Sequence, residues 1–216
     1  MPRNDRNDGN RDVASHGLRS LLAVGRLVGD TLYGVRYYLL LATMLFVGGF
    51  TAALCIYSPV VGTAAAGSGN AGGTASLTAL DIAVNNVLVA VTLCSGWVLL
   101  GMPTVAGLVF NGYLLGRIAT ELVALGNDPV TVMLYVLPHG LLEIPGLLLS
   151  ATVGLVPPVR FAQYIRGRRS TVVSRSEARS LILIVSLSLT LIVVAAAVEA
   201  WITGPLAEAI TRMLPR

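Results

Sequence analysis

From Tyr37 to Tyr57 the chain carries no charged residue, and a run of that length covers the roughly 30 Å hydrocarbon core of a bilayer. Arg36, Tyr37 and Tyr38 stand at its start, the combination of a cation and aromatic rings that suits a membrane interface. A secretory signal is the rival reading, since Ala64, Ala65 and Ala66 follow. The region before the run is too long and the run itself exceeds an ordinary signal core, which favours a retained span. The rest of the composition agrees. Over 216 residues, 55% are hydrophobic and only 12% charged, whereas a soluble domain is about a quarter charged. Mean hydropathy is +0.76. A typical cytosolic enzyme is thereby excluded, and so is a disordered chain, because Leu, Val, Ile and Ala abound.

Four more apolar stretches follow. The second expected span runs from about Leu80 to Leu100 and the third from about Thr104 to Val123, with a tight turn at Gly101-Met102-Pro103. Gly126-Asn127-Asp128-Pro129 marks a loop. Val130 to Val156 is too long for one straight crossing and contains Pro138, Gly140, Pro145 and Gly146, so a fourth span kinked or broken at Pro138–Pro145 is expected. A re-entrant hairpin is the alternative. Ser180 to Ile202 forms the fifth span. The fold class is therefore all-α, a polytopic transmembrane bundle of about five helices.

Three regions result: residues 1–35, a polar cytoplasmic tail (1–12) with an interfacial amphipathic helix over Val13–Leu32; residues 36–206, the bundle; and residues 207–216, a short amphipathic tail. A soluble helix packed on the bundle is the other reading of Val13–Leu32. Residues 58–78 form a Gly/Ala/Ser/Thr connector without a charge. Cys55 and Cys94 fall at different helical depths and are not expected to pair.

All fifteen basic residues are arginine, and the net charge is +4. Six precede the first span: Arg3, Arg6, Arg11, Arg19, Arg26 and Arg36. Six more lie between spans four and five: Arg160, Arg166, Arg168, Arg169, Arg175 and Arg179. Four crossings put both groups on one face, which the positive-inside rule makes cytoplasmic. The amino terminus is then inside the cell and the carboxy terminus outside. The cluster at Arg160, Arg166, Arg168 and Arg169 is either a topology signal or a surface for anionic lipid or a partner protein. Nucleic acid is not an expected partner.

Inside the spans, polar side chains are costly, and those present face the bundle interior. They are Asn85, Asn86, Asn111, Arg117, His139, Glu143 and Glu199. His139 and Glu143 are four apart and share a helix face, where Pro138 frees a carbonyl and Gly140 allows close helix approach. They read either as a proton- or metal-handling pair or as a buried hydrogen-bonded pair joining helices. Two ligands are too few for a closed metal site, and Glu199 would be a third only from a span remote in sequence. Arg117 and Glu121 are expected to neutralise each other. Gly112 and Gly116 form a small-xxx-small packing pair. No nucleophile elbow is present, and a phosphate loop is impossible without lysine, so no catalytic residue, metal or cofactor is assigned.

In order, Asn85-Asn86, Gly96, Gly101, Asn111-Gly112-x-x-x-Gly116, Pro138-His139-Gly140-x-x-Glu143-x-Pro145 and Glu199-Ala200-x-x-Thr203-x-Pro205 resemble the stage II sporulation protein M family over about residues 36–206. The resemblance implies a polytopic membrane protein. In endospore formers the namesake is implied to anchor a complex with two peptidoglycan-cutting partners during engulfment. Family members are also implied in organisms that form no spores, so no sporulation role carries over, and no enzymatic activity attaches to the family.

The leading expectation is a non-enzymatic scaffold that positions membrane or envelope partners, with homo-oligomerisation open. The alternative is a transporter or channel-like subunit using His139, Glu143 and Glu199. An intramembrane hydrolase is third. The readings separate on one point, whether the helices close tightly around His139 or leave a water-accessible space there.

Overall fold

The computed structural model describes residues 6–57 and 79–203, with the side chains of residues 6–21, Ala79 and Tyr135 outside the description. The expected connector 58–78, the first five residues of the tail and everything from Gly204 onward, Pro205 and the 207–216 tail included, lie outside the described residues. All regular structure among the described residues is helical: α1 (Arg6–Ile56), α2 (Ala79–Cys94), α3 (Met102–Ala124), α4 (Pro129–Ile165) and α5 (Arg175–Val198). A short 3₁₀ turn (Ser95–Trp97) follows α2, and a π turn (Glu199–Thr203) follows α5. Four of these helices, over Leu22–Ile56, Leu80–Trp97, Val136–Ile165 and Arg175–Thr203, are long and apolar enough to cross a membrane. α3 is long enough at 23 residues, but Asn111, Arg117 and Glu121 lower its apolarity and it is not among them.

Two differences from the sequence reading concern helix ends and interruptions. α1 begins at Arg6 and runs without a break through Arg36, so residues 6–12 are helical rather than a tail, and no turn separates the amphipathic segment from the first span. Once a helix is nucleated, adding residues costs little, and no proline intervenes. The Arg36 guanidinium donates to the Tyr33 carbonyl at 3.1 Å and lies 3.8 Å from the Tyr33 ring centre. The second difference is α4. It is one helix of 37 residues through Pro138, Pro145, Pro157 and Pro158, so the expected interruption is not a break, and a re-entrant hairpin is not formed. Each proline removes one hydrogen bond, and packing within a bundle tolerates that loss.

The helix ends follow local chemistry. Asp128 caps α4, accepting from the Val130 and Thr131 amides at 3.0 and 3.3 Å, with Pro129 in the first turn. Ser174 and Glu177 form a reciprocal capping box at the start of α5. Between α2 and α3, Gly101 takes φ +91°, a left-handed conformation that glycine adopts without strain.

The chain divides into two compact units, residues 1–36 and 37–216. Within the second, small residues bring the helices together. A side chain at Gly112 would overlap the Phe46 carbonyl, and one at Gly116 would meet the Phe50 carbonyl and Ala53. Gly49 abuts the Val109 carbonyl in the same way. Later residues of one helix meet later residues of the other, so α3 and residues 37–56 of α1 run parallel. Gly154 of α4 presses on the Leu93 carbonyl and on Thr104, and Gly96 presses on Thr104 and the Gly154 carbonyl. Around these contacts lies the core of Ala42, Phe46, Ala90, Leu93, Leu108, Leu147, Ala151, Leu155 and Ile192. Leu40, Met44, Val84, Leu88, Val91 and Val193 point outward and exposed, as lipid-facing positions would.

Candidate functional site

His139 and Glu143 occupy successive turns of α4, about 15 and 21 Å along the helix from Pro129 at roughly 1.5 Å per residue. α5 runs antiparallel beside α4, in a register fixed by buried hydroxyls. Ser188 donates to the Gly146 carbonyl at 2.7 Å, and Ser150 and Ser188 lie 2.6 Å apart. His139 precedes Ser150 by eleven residues and Glu199 follows Ser188 by eleven, so that register carries Glu199 opposite His139. The outcome is a cluster: one ligating atom each from His139, Glu143 and Glu199 lie within 4.8 Å of one another, and all three side chains are half-buried. Thr203, buried on the π turn, sits with its hydroxyl 3.5 Å from His139 Nδ1, at the long limit of a hydrogen bond, and donates to the Val198 carbonyl at 3.3 Å.

α2 supplies the facing wall. Asn85 donates from Nδ2 to Asn86 Oδ1 at 3.2 Å, and Asn86 is buried. Asp81, Ile82, Asn85 and Asn86 together with His139, Glu143 and Glu199 line a cavity of about 390 Å³. A second space of about 220 Å³ shares Asn85, Asn86, His139 and Glu143 and continues toward Phe46, Asn111, Leu115 and Leu147. The helices therefore do not close around His139. One space is bounded largely by polar side chains and the other mainly by apolar ones, with the same four residues between them.

Asn111 lines only the apolar space, and its amide donates to the Gly107 carbonyl of its own helix at 2.7 Å. Gly140 departs from its expected packing role. A side chain there would meet only Val136 and Ile144 of its own helix, at 3.6 and 3.9 Å, because Gly140 faces the apolar space rather than a neighbouring helix. Gly101 likewise meets Pro158 and Leu155 at ordinary contact distances, and its backbone conformation explains the glycine. Gly96, Gly112 and Gly116 are close-approach positions. Arg117 pairs with Glu121 at 3.1 Å away from the cluster, and Tyr57 donates to the same carboxylate.

At the far end of α4, Glu177 binds Arg169 at 2.7 Å and Arg160 at 3.3 Å. Arg166, Arg168, Arg175 and Arg179 are exposed. The Arg160 guanidinium lies 6.0 Å from the Tyr38 ring.

Sequence reasoning missed Asp81 as a lining residue, and it gave Thr203 no place beside His139. Both signals were present: an acid one turn before Asn85, and a hydroxyl four residues after Glu199. Neither could be placed without the turn geometry at the helix ends.

The family model for Stage II sporulation protein M matches residues 37–204. An uncharacterized protein of the archaeon Methanocaldococcus jannaschii is 29% identical over 128 residues, 59% of this chain and 71% of that protein. No solved structure matches.

Proposed function

This chain belongs to the stage II sporulation protein M family, and we propose that it is a multi-pass cell-membrane protein acting as a transporter or channel-like subunit for a small cation. That it is an integral membrane protein follows from the family and from its four apolar helices. The observation that carries the finer reading is the 390 Å³ cavity at His139, Glu143 and Glu199. A purely structural polar pair would be closed in by its neighbours. Here two helices and a π turn instead aim ionisable groups into open space, the arrangement membrane proteins use for solute sites.

In this reading α3 is a full span, making five, because it runs parallel to α1 and lies against Phe46, Phe50 and Ala53. Parity then puts Arg36 and the 160–179 segment on one face, and the approach of Arg160 to Tyr38 fits that arrangement. The amino terminus is cytoplasmic and the carboxy terminus external. Asp81 stands in the first turn of α2 and Glu199 past the end of α5, so the cavity opens toward the external side. The reading assigns no catalytic residue.

The test is flux into proteoliposomes loaded with a pH dye or with a dye quenched by Mn²⁺. The expected result is uptake of one of these cations above protein-free vesicles, lost in Glu143→Gln. Uptake of neither, or uptake unaffected by Glu143→Gln, overturns the reading.

A specific observation also favours a scaffold. The clasp of Glu177 on Arg160 and Arg169 orders the arginine segment while leaving Arg166 and Arg168 exposed, which suits a docking surface for a membrane or envelope partner. Specific co-purification of a partner, lost in Arg166→Glu/Arg168→Glu, is its test.

A further inference from the structure

We infer that His139, Glu143 and Glu199 form a binding site for a divalent first-row transition cation such as Zn²⁺, Mn²⁺ or Co²⁺. As an account of what the site receives, the inference rests on the transport reading; as an account of what it binds, it stands alone.

Three observations carry it. The first is the donor set. One imidazole nitrogen and two carboxylate oxygens lie within 4.8 Å of one another. Ligands of a zinc ion sit about 2.0–2.2 Å from the metal, so small side-chain rotations draw all three onto one ion. Such a mixed nitrogen and oxygen set suits transition cations better than Mg²⁺ or Ca²⁺, which take oxygen.

The second observation is charge. Glu143, Glu199 and Asp81 all border the cavity. Among the described residues, the ion pairs of Arg117, Arg160 and Arg169 go to Glu121 and Glu177 and not to Glu143 or Glu199. Two carboxylates held this close repel each other unless a proton or a cation is brought between them. A divalent cation supplies two units of positive charge at once.

The third is the support behind His139. Metal-bound imidazoles use their second ring nitrogen in a hydrogen bond that fixes tautomer and orientation. Thr203 is placed for this role. Its hydroxyl donates to the Val198 carbonyl, so its oxygen can accept from Nδ1–H, and in that tautomer Nε2 is the nitrogen with a lone pair for a metal. The remaining coordination positions face the cavity, where Asn85, Asn86 and water would complete the shell. Three protein ligands with an open side describe a site that can exchange its ion, unlike a closed structural site.

The experiment uses the full-length protein in detergent, with any purification tag removed. Co²⁺ is followed by its visible absorption and Zn²⁺ by calorimetry. The expected result is saturable binding of one equivalent, with a cobalt spectrum bleached by Zn²⁺. Glu199→Gln and His139→Gln are each expected to weaken Zn²⁺ binding at least tenfold, whereas Glu121→Gln leaves it unchanged. Helical circular dichroism checks that each variant is folded. Absence of saturable binding by the wild-type chain overturns the inference, whatever the variants do. So does binding that survives both substitutions in folded protein. Binding without flux retains the site and removes the transport reading; proton flux without metal binding does the reverse.

Discussion

The bundle has two unlike regions, and both contain polar side chains. Around Leu93, Thr104, Gly154 and Ser188 the helices touch backbone to backbone, and every polar group there is consumed. Thr104 donates to the Leu93 carbonyl at 2.6 Å, and Ser188 to Gly146. Around Asn85, His139, Glu143 and Glu199 the helices stand apart over about 390 Å³. The polar groups there converge on space. Hydroxyls that answer carbonyls across a tight contact act as glue, while ionisable groups aimed at a cavity remain available to a ligand. The helix-packing devices and the candidate site are thus separable parts of one fold.

That contrast can be broken most directly at the glycines. Gly154→Ala drives a Cβ onto the Leu93 backbone, which cannot rotate away, and is expected to cost about 2–3 kcal/mol of stability. Thermal unfolding in detergent, or loss of a monodisperse peak, would register it. A wild-type stability for that variant would mean the closed region is looser than described. Ser188→Ala removes the interhelical bond to the Gly146 carbonyl and the contact with the Ser150 hydroxyl, for an expected loss of about 1 kcal/mol in the same assay. In the open region, Glu143→Gln keeps shape and volume, so stability should stay within about 0.5 kcal/mol of wild type while flux and metal binding fall. A large loss of stability there would make Glu143 a structural residue. Opposite in sign is Gly140→Ala, which meets nothing closer than 3.6 Å. Relief of glycine's chain entropy should leave it neutral or stabilise it by up to about 1 kcal/mol. Equal effects at Gly140 and Gly154 would erase the distinction altogether.

Much of this was legible in the residues. Charges are so rare in the apolar runs that Asn85, Asn86, His139, Glu143 and Glu199 identified themselves, and the two arginine groups suggested a topology. The loop at Gly126–Pro129 and the turn at Gly101 followed from local conformational chemistry. Three things did not. Helix continuity at Pro138 and Pro145 depends on neighbours that offset lost hydrogen bonds, which a linear sequence does not display. Gly140 resembles the packing glycines in sequence and differs from them only in what stands opposite. Glu199 could be named as a possible third partner of His139 and Glu143 but not placed beside them, because their meeting depends on the α4–α5 register, and that register is set by two serines that the sequence does not single out. Had Ser150 and Ser188 been paired first, the third ligand would have followed by counting.

The π turn at Glu199–Thr203 has a consequence in terms of insertions and deletions. A π turn holds one residue more than the α-helical turn it replaces. Such a turn absorbs its extra residue locally, so deleting any single residue from Ala200 to Ile202 would tighten it to an ordinary α-helical turn and bring Thr203 from five residues after Val198 to four, still over the carbonyl its hydroxyl meets. The same deletion inside the regular helix between Ser188 and Val198 would instead rotate Glu199 by about 100° away from His139 and Glu143. The turn is thus the stretch where the chain can lose one residue and keep both the acid and the hydroxyl beside the imidazole.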